Sequence, residues 1–156
     1  MKRELNRRNF VRTAAIGTLG LGLASKSEFL FGKAQQSQAR LGIIGLDTSH
    51  SVAFVKAINA ADAKPEFAGF RIVAAYPKGS SDIKSSYDRI PGYIEEVKKF
   101  NVEIVDSIEA LISKVDYVFL ETNDGKLHLE QALPVFKAGK RMFIDKPIAA
   151  SLEHAI

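Results

Sequence analysis

From residue 40 onward the chain alternates, five times over, between a short apolar run and a segment of helical spacing, and few folds accommodate that rhythm. Arg40–Gly45 (RLGIIG) is a brief apolar run closed by glycine, suited to a strand buried on both faces. SHSVAFVKAINA follows, where Val52, Val55, Ala57 and Ile58 share a helical face and Ser49 is placed to cap the start. DAKPEFAG reads as a loop, Phe70–Tyr76 as a second strand, and PKGSSDIKSSYD as a polar loop. PGYIEEVKKF predicts a helix with Pro91 near its first turn, VEIVD a third strand, and SIEALISK a short helix capped by Ser107. Val115–Thr122 predicts a fourth strand, KLHLEQALPVFKAG a helix closed by Gly139, and Arg141–Lys146 a fifth strand; a last helix opens at Ser151. Strands separated by helices pair in parallel through right-handed crossovers. The expectation is therefore an α/β fold with strand order 3-2-1-4-5 and helices on both faces.

Charge matters mainly for where it lies. Residues 1–34 hold seven basic side chains against Glu4 and Glu28, a surplus of five in a chain whose formal net charge is +4. The remainder is about −1, so the basicity marks a leader and argues against a nucleic-acid footprint. In the leader, Arg7 and Arg8 precede Phe10 and Arg12, and a mild apolar run extends from about Thr13 to Ala24. That run is well short of the ~20 residues that span a bilayer. The string RRNFVR resembles a twin-arginine (Tat) export signal, with cleavage after Ala24 or Ala34. The implied partner is the Tat translocon and the implied location is the periplasm or the exterior. The chain has no cysteine, which excludes disulfides, thiolate catalysis and cysteine-bound metals.

In an open parallel sheet ligands gather at the carboxyl ends of the strands, where strand order reverses. Here that place is the turn after the first strand, Gly42–His50 (GIIGLDTSH). A dinucleotide loop of the form G-x-G-x-x-G needs bare backbone against a pyrophosphate. This chain offers Gly45 in the first position, Asp47 in the second and His50 in the third. A carboxylate about 4 Å from a phosphate costs on the order of 4 kcal/mol at an effective dielectric near 20, so Asp47 points away, or meets a cation, or the pyrophosphate sits differently, or nothing binds. Thr48, Ser49 and the free amides of the helix start still suit an anion. Helix capping is the plain alternative for Asp47 and Ser49. The second strand ends at Tyr76-Pro77-Lys78-Gly79-Ser80-Ser81, with no acid for a ribose. Lys78 and the serines suit a 2′-phosphate, which slightly favours NADP over NAD, but a solvated turn is the better explanation of those residues. Asp47 and His50 are two ligands, too few for a metal site.

Leu120–Pro147 (LETNDGKLHLEQALPVFKAGKRMFIDKP) resembles the Gfo/Idh/MocA oxidoreductases. Thr122 and Asn123 fall in the family's Thr-Pro-Asn-like turn, His128 matches its histidine, Ala138-Gly139-Lys140 its A-G-K step, and Asp145-Lys146-Pro147 its Glu-Lys-Pro. The resemblance implies a Rossmann-type NAD(P)-binding domain over residues 40–156. Thr122, Asn123 and His128 would line the nicotinamide end, Lys146 would be the catalytic lysine, and Asp145 would position its ammonium. A nicotinamide nucleotide and a small-molecule substrate follow as partners, and a homo-oligomer is compatible. Glu121, where the family is apolar or small, and Asp47 depart from the pattern.

Family members carry a second α+β domain, and this chain stops inside a helix, as a fragment would. The expected function is the nucleotide-binding domain of an exported oxidoreductase acting on a sugar, polyol or related hydroxyl compound, inactive alone. The alternative is a non-redox binding module in which Asp47, His50 and Glu121 hold a sugar or a cation. A partner-binding relic is a third reading, marked by exposed apolar surface where a second domain would dock.

Overall fold

The computed structural model describes residues 38–156. The leader, with its twin arginines, lies outside the described residues. Five strands form one parallel sheet: β1 (Ala39–Ile44), β2 (Phe70–Tyr76), β3 (Glu103–Ile104), β4 (Tyr117–Leu120) and β5 (Arg141–Ile144). Their order is β3-β2-β1-β4-β5, as the alternation predicts, with the reversal beside β1. The central strand is apolar throughout its second half, and Leu41, Ile43 and Ile44 are buried. Each such side chain contributes roughly 1.5–3 kcal/mol by leaving water.

The helices are α1 (Ser49–Asn59), α2 (Lys84–Tyr87), α3 (Ile90–Lys98), α4 (Ile108–Ile112), α5 (Gly125–Lys137) and α6 (Leu152–Ala155). Packed on one face of the sheet are α1 and α3, with Val52, Val55, Ile58 and Val97 against Leu41, Ile43 and Ile72. The other face receives α4 and α5, whose Leu111, Ala132 and Val135 meet Ile44, Val118 and Leu120. The alternation of inward residues along β1 and β4 thus divides one sheet into two cores.

Local chemistry explains most boundaries. Ser107 caps α4 by accepting from the Ala110 amide, and Asp124 caps α5 by accepting from Lys126. Pro91 stands in the first turn of α3. Several details differ from expectation. Ser49 does not cap α1: it is the first helical residue, and Thr48 at the cap position makes no side-chain capping bond. Ala57 turns to the surface, because the buried stripe of α1 runs through Ser51, Val52, Val55, Ile58 and Asn59. Asn59 is drawn in by exchanging bonds with the backbone of Ile72, donating to its carbonyl at 2.7 Å and accepting from its amide at 2.9 Å. The two loops between α1 and α3 hold a 3₁₀ turn (Pro65–Phe67) and the single-turn α2.

Candidate functional site

The carboxyl ends of β1, β4 and β5 lie side by side, and the backbone ladder continues past them. Glu121 donates its amide to Ile44 at 2.8 Å and Asp145 to Leu120 at 3.0 Å. Gly45, Glu121 and Asp145, each the first residue beyond its strand, therefore share one rim. Gly45 has φ +90°, and a Cβ there would stand 2.5 Å from the Thr122 hydroxyl and 2.6 Å from its amide. Only glycine fits, since both the backbone conformation and the contact exclude a side chain. The loop after β1 is thereby pressed against the loop after β4.

Asp47 is fully buried and binds two neighbouring loops to its own. Its carboxylate accepts from the Ser80 amide at 3.2 Å and the Asn123 amide at 3.1 Å. Burial raises its pKa above the usual carboxylate value; the amides of Asn123, Ser80 and Asp47 itself pull the other way, and the charge of Asp124 adds to the rise. A Cβ at Gly79 would collide with this carboxylate, so the glycine after β2 lets the loop close over Asp47. Ser80 extends the network: its hydroxyl donates to Asp124 at 2.9 Å, on the residue that caps α5. The backbone bond to Lys126 leads in holding the Asp124 carboxyl below its usual range.

On the β5 side the rim is of another kind. Glu121 is 1% exposed, and neither carboxylate oxygen finds a hydrogen-bond partner among the described residues. Desolvation pushes its pKa up to about 8, the charge of Asp145 adds to the rise, and the Lys146 ammonium opposes it. Beside it, His50 in the first turn of α1 places Nδ1 2.5 Å from Asp145 Oδ2. Burial works to raise the Asp145 pKa, but His50, the Lys146 amide and the Lys146 ammonium together hold it below the ordinary value. Lys146 is 74% exposed, with Nζ 3.8 Å from Asp145 Oδ2, and the Lys146–Pro147 peptide is cis. Gly45, Thr122, Asp145 and Lys146 are thus brought together at one edge.

Three other residues expected at the pocket have specific placements. His128 is buried, with Nε2 2.6 Å from the Thr122 carbonyl and Nδ1 3.3 Å from that of Ile148. It ties the loop after β4 to the loop after β5 and faces backbone, not open space. Asn123 donates its side-chain amide to Ser86 Oγ at 3.0 Å. Tyr76, at the end of β2, accepts from the Gly45 amide through its carbonyl. Thr48 and Thr122 each bury a hydroxyl oxygen that meets no partner among the described residues.

Among the described residues, cavities open on either side of the sheet. One of about 350 Å³ opens beyond β2 and β3, bordered by Tyr76, Lys78, Asp106, Ser107 and Gln131. The other, about 630 Å³, lies on the sheet face beside α1, where Phe54, Phe119 and Phe143 meet edge to face with centroids 5.2–6.1 Å apart. Its lining is almost wholly apolar, so the chemistry belongs to the rim. Sequence reasoning paired His50 with Asp47; the structure pairs it with Asp145. It also passed over Ser80 and Gly79 as partners of Asp47. A buried-looking Asp following Gly-Leu, with no lysine nearby to meet it, was the available signal that backbone amides must satisfy it.

A family model described as an oxidoreductase family with an NAD-binding Rossmann fold matches residues 39–156. No curated protein matches the sequence. Among solved structures, a dehydrogenase (MviM) from Clostridium difficile superposes with a TM-score of 0.55 at 20% identity, covering 75% of this chain and 33% of that one. UDP-N-acetylglucosamine 3-dehydrogenase GnnA from Acidithiobacillus ferrooxidans gives 0.52 at 19%, covering 74% and 30%. Biliverdin reductase from Synechocystis sp. PCC 6803, solved with biliverdin and NADP+, gives 0.51 at 20%, covering 75% and 32%. This chain thus spans about a third of the length of the structures it resembles. With the five-stranded order, the glycine turn after β1 and the match over residues 39–156, the chain belongs to the Gfo/Idh/MocA oxidoreductase family and carries its NAD-binding Rossmann fold.

Proposed function

We propose that this chain is the nucleotide-binding part of an exported oxidoreductase that moves a hydride between NADP or NAD and a hydroxyl of a sugar, polyol or related compound. The observation that carries the reading is the junction of Gly45 with Thr122, at the reversal of strand order and beside the uncapped start of α1. The residues fit the phosphates of a nucleotide there. The first-turn amides of α1 receive no side-chain cap, and the Thr48 and Thr122 hydroxyls are buried without partners among the described residues. An anion at a helix start meets both the free donors and the helix dipole. Asp47 does not oppose this fit with open charge, because it is buried and held by the Ser80 and Asn123 amides.

Bound nicotinamide would supply the hydride acceptor. Lys146 is exposed at the same edge, where its ammonium can hold a substrate hydroxyl by donating to the oxygen, with Asp145 beside it. The cavity bordered by Tyr76 and Lys78 suits the adenosine end. A preference for NADP rests on Lys78 and Ser81, which are exposed; Ser80 is committed to Asp47 and Asp124. A sugar or polyol substrate is in keeping with a UDP-N-acetylglucosamine dehydrogenase sharing the fold. Export through the Tat route rests on RRNFVR alone. Turnover by these residues alone is expected to be negligible, as the family's second domain shapes the substrate pocket.

The test is titration of the full chain with NADH and with NADPH, followed by nucleotide fluorescence. Saturable enhancement, tighter for NADPH, is expected. No change for either nucleotide at about 1 mM, the concentration matching a binding free energy of only about −4 kcal/mol, would sink the cofactor reading.

A further inference from the structure

We propose that His50, Glu121 and Asp145 form a binding site for a divalent first-row transition-metal ion at the carboxyl rim of β1, β4 and β5. One ligand atom from each of the three residues lies within 4.8 Å of the other two. They come from separate places in the sequence, the first turn of α1 and the positions just beyond β4 and β5, so the convergence is a product of the fold. Metal–ligand bonds of about 2.0–2.2 Å put the ligand atoms of one ion roughly 3–4.4 Å apart, and small side-chain rotations close the difference. His50, with a side chain 45% exposed, has the freedom to make them.

Glu121 is the independent reason to expect an ion. Its carboxylate is buried, directed at His50 and Asp145, and has no hydrogen-bond partner among the described residues. Ionised, Glu121 would be an unpaired buried charge costing several kcal/mol, and a bound cation offsets that cost. Asp47 shows what the same fold does with a carboxylate it satisfies internally: two amides reach it. No donor among the described residues reaches Glu121. An ion would take the place of the proton between His50 and Asp145, and its two charges would meet two carboxylates, of which Asp145 also has the Lys146 ammonium 3.8 Å away.

The donor set narrows the identity. One imidazole with two carboxylates suits Zn²⁺ or Mn²⁺ better than Mg²⁺ or Ca²⁺, which prefer all-oxygen shells. Three protein ligands leave coordination positions open. Those positions lie beside Lys146, so the site would bind an oxygen of the ligand, a hydroxyl or a carbonyl, by inner-sphere contact. This site goes beyond the nucleotide reading and stands without it.

The experiment uses the untagged full chain, stripped with EDTA and dialysed. It is titrated calorimetrically with ZnCl₂ alone and with MnCl₂ alone, and its melting temperature is followed in parallel. One ion per chain is expected for at least one of the two metals, with a rise in melting temperature that EDTA reverses. E121Q and H50A should each weaken binding at least about tenfold. H154A, which changes an exposed histidine near the C-terminus, should leave it unaltered. E121Q removes a buried charge, so its folding in EDTA is expected to be intact and its melting curve verifies this. No saturable binding of either metal up to about 1 mM, or E121Q binding like the unmodified chain, overturns the site. Loss of binding in H154A alone does so too, identifying an adventitious surface ion. Titration of the same samples with NADPH separates the two ideas: nucleotide binding without metal binding defeats only this inference.

Discussion

Two buried carboxylates stand on the same rim, three strands share it, and the fold treats them in opposite ways. Asp47, on the β2 side, gathers the amides of Ser80 and Asn123 and becomes the knot that holds three loops together. Glu121, on the β5 side, is as deeply buried and receives no donor among the described residues. The first arrangement is closed: every acceptor direction that matters is used within the chain, and removing it would loosen the loops. The second is open, with a charge, an imidazole and a second carboxylate converging on one point. Satisfaction marks structure here, and its absence marks a place for a ligand.

The contrast is broken most sharply at Gly45. Gly45→Val is expected to cost about 4 kcal/mol or more, combining strain at positive φ with a collision against the Thr122 backbone. Urea unfolding would measure it, and a loss below 1 kcal/mol would mean the two loops are not pressed together as described.

Glu121→Gln should act in the other direction, and only above about pH 4.5. A carboxyl whose folded pKa, about 8, lies above its ordinary 4.5 is best accommodated while protonated. Its stability contribution is therefore complete below about pH 4.5 and declines as pH rises through 8. In EDTA the variant should be more stable than the unmodified chain by about 3 kcal/mol at pH 7 and about equal to it at pH 4. Equal stability across that range would show that Glu121 is not an isolated buried charge.

Asp47→Ala should cost about 2 kcal/mol by stranding the buried Ser80 amide and the half-buried Asn123 amide. Asp47→Asn, which retains an acceptor, should cost less. Hydrogen exchange at Ser80 and Asn123 gives the sharper readout: both amides should exchange faster in the alanine variant, while amides in β5 stay unchanged. Smallest of all is Thr48→Val. Its hydroxyl meets no partner among the described residues, so the isostere should shift stability by under about 0.5 kcal/mol. NADPH affinity, in contrast, should fall several-fold if that hydroxyl meets a phosphate.

Much of the fold could be read directly. The residues of β2 were legible to the residue, Ser107 was legible as a cap, and Gly139 as the close of α5, because each depends on neighbours within one turn or one strand. The failures are equally local in origin. Ser49 looked like a cap because serine commonly is one, yet Thr48 takes the cap position and uses no side chain. Ala57 looked buried by spacing alone, but Asn59, fastened to Ile72, rotates the buried stripe of α1 away from it. At the site, the type of each residue was readable and its partner was not. Asp47 was recognisable as out of place in a phosphate loop, whereas its engagement with Ser80 depends on a loop 33 residues away.

The sequence by itself determined the five strands, their order and the position of the rim. Hydrophobic period, capping residues and the handedness of crossovers are short-range properties that survive in any one-dimensional reading. Only the tertiary structure decided that His50 meets Asp145, that Asp47 lies sealed among backbone amides, and that Glu121 lies buried with no donor among the described residues. Those outcomes are set by how strand ends align and how loops close over them, at distances of a few ångströms between residues up to 95 positions apart.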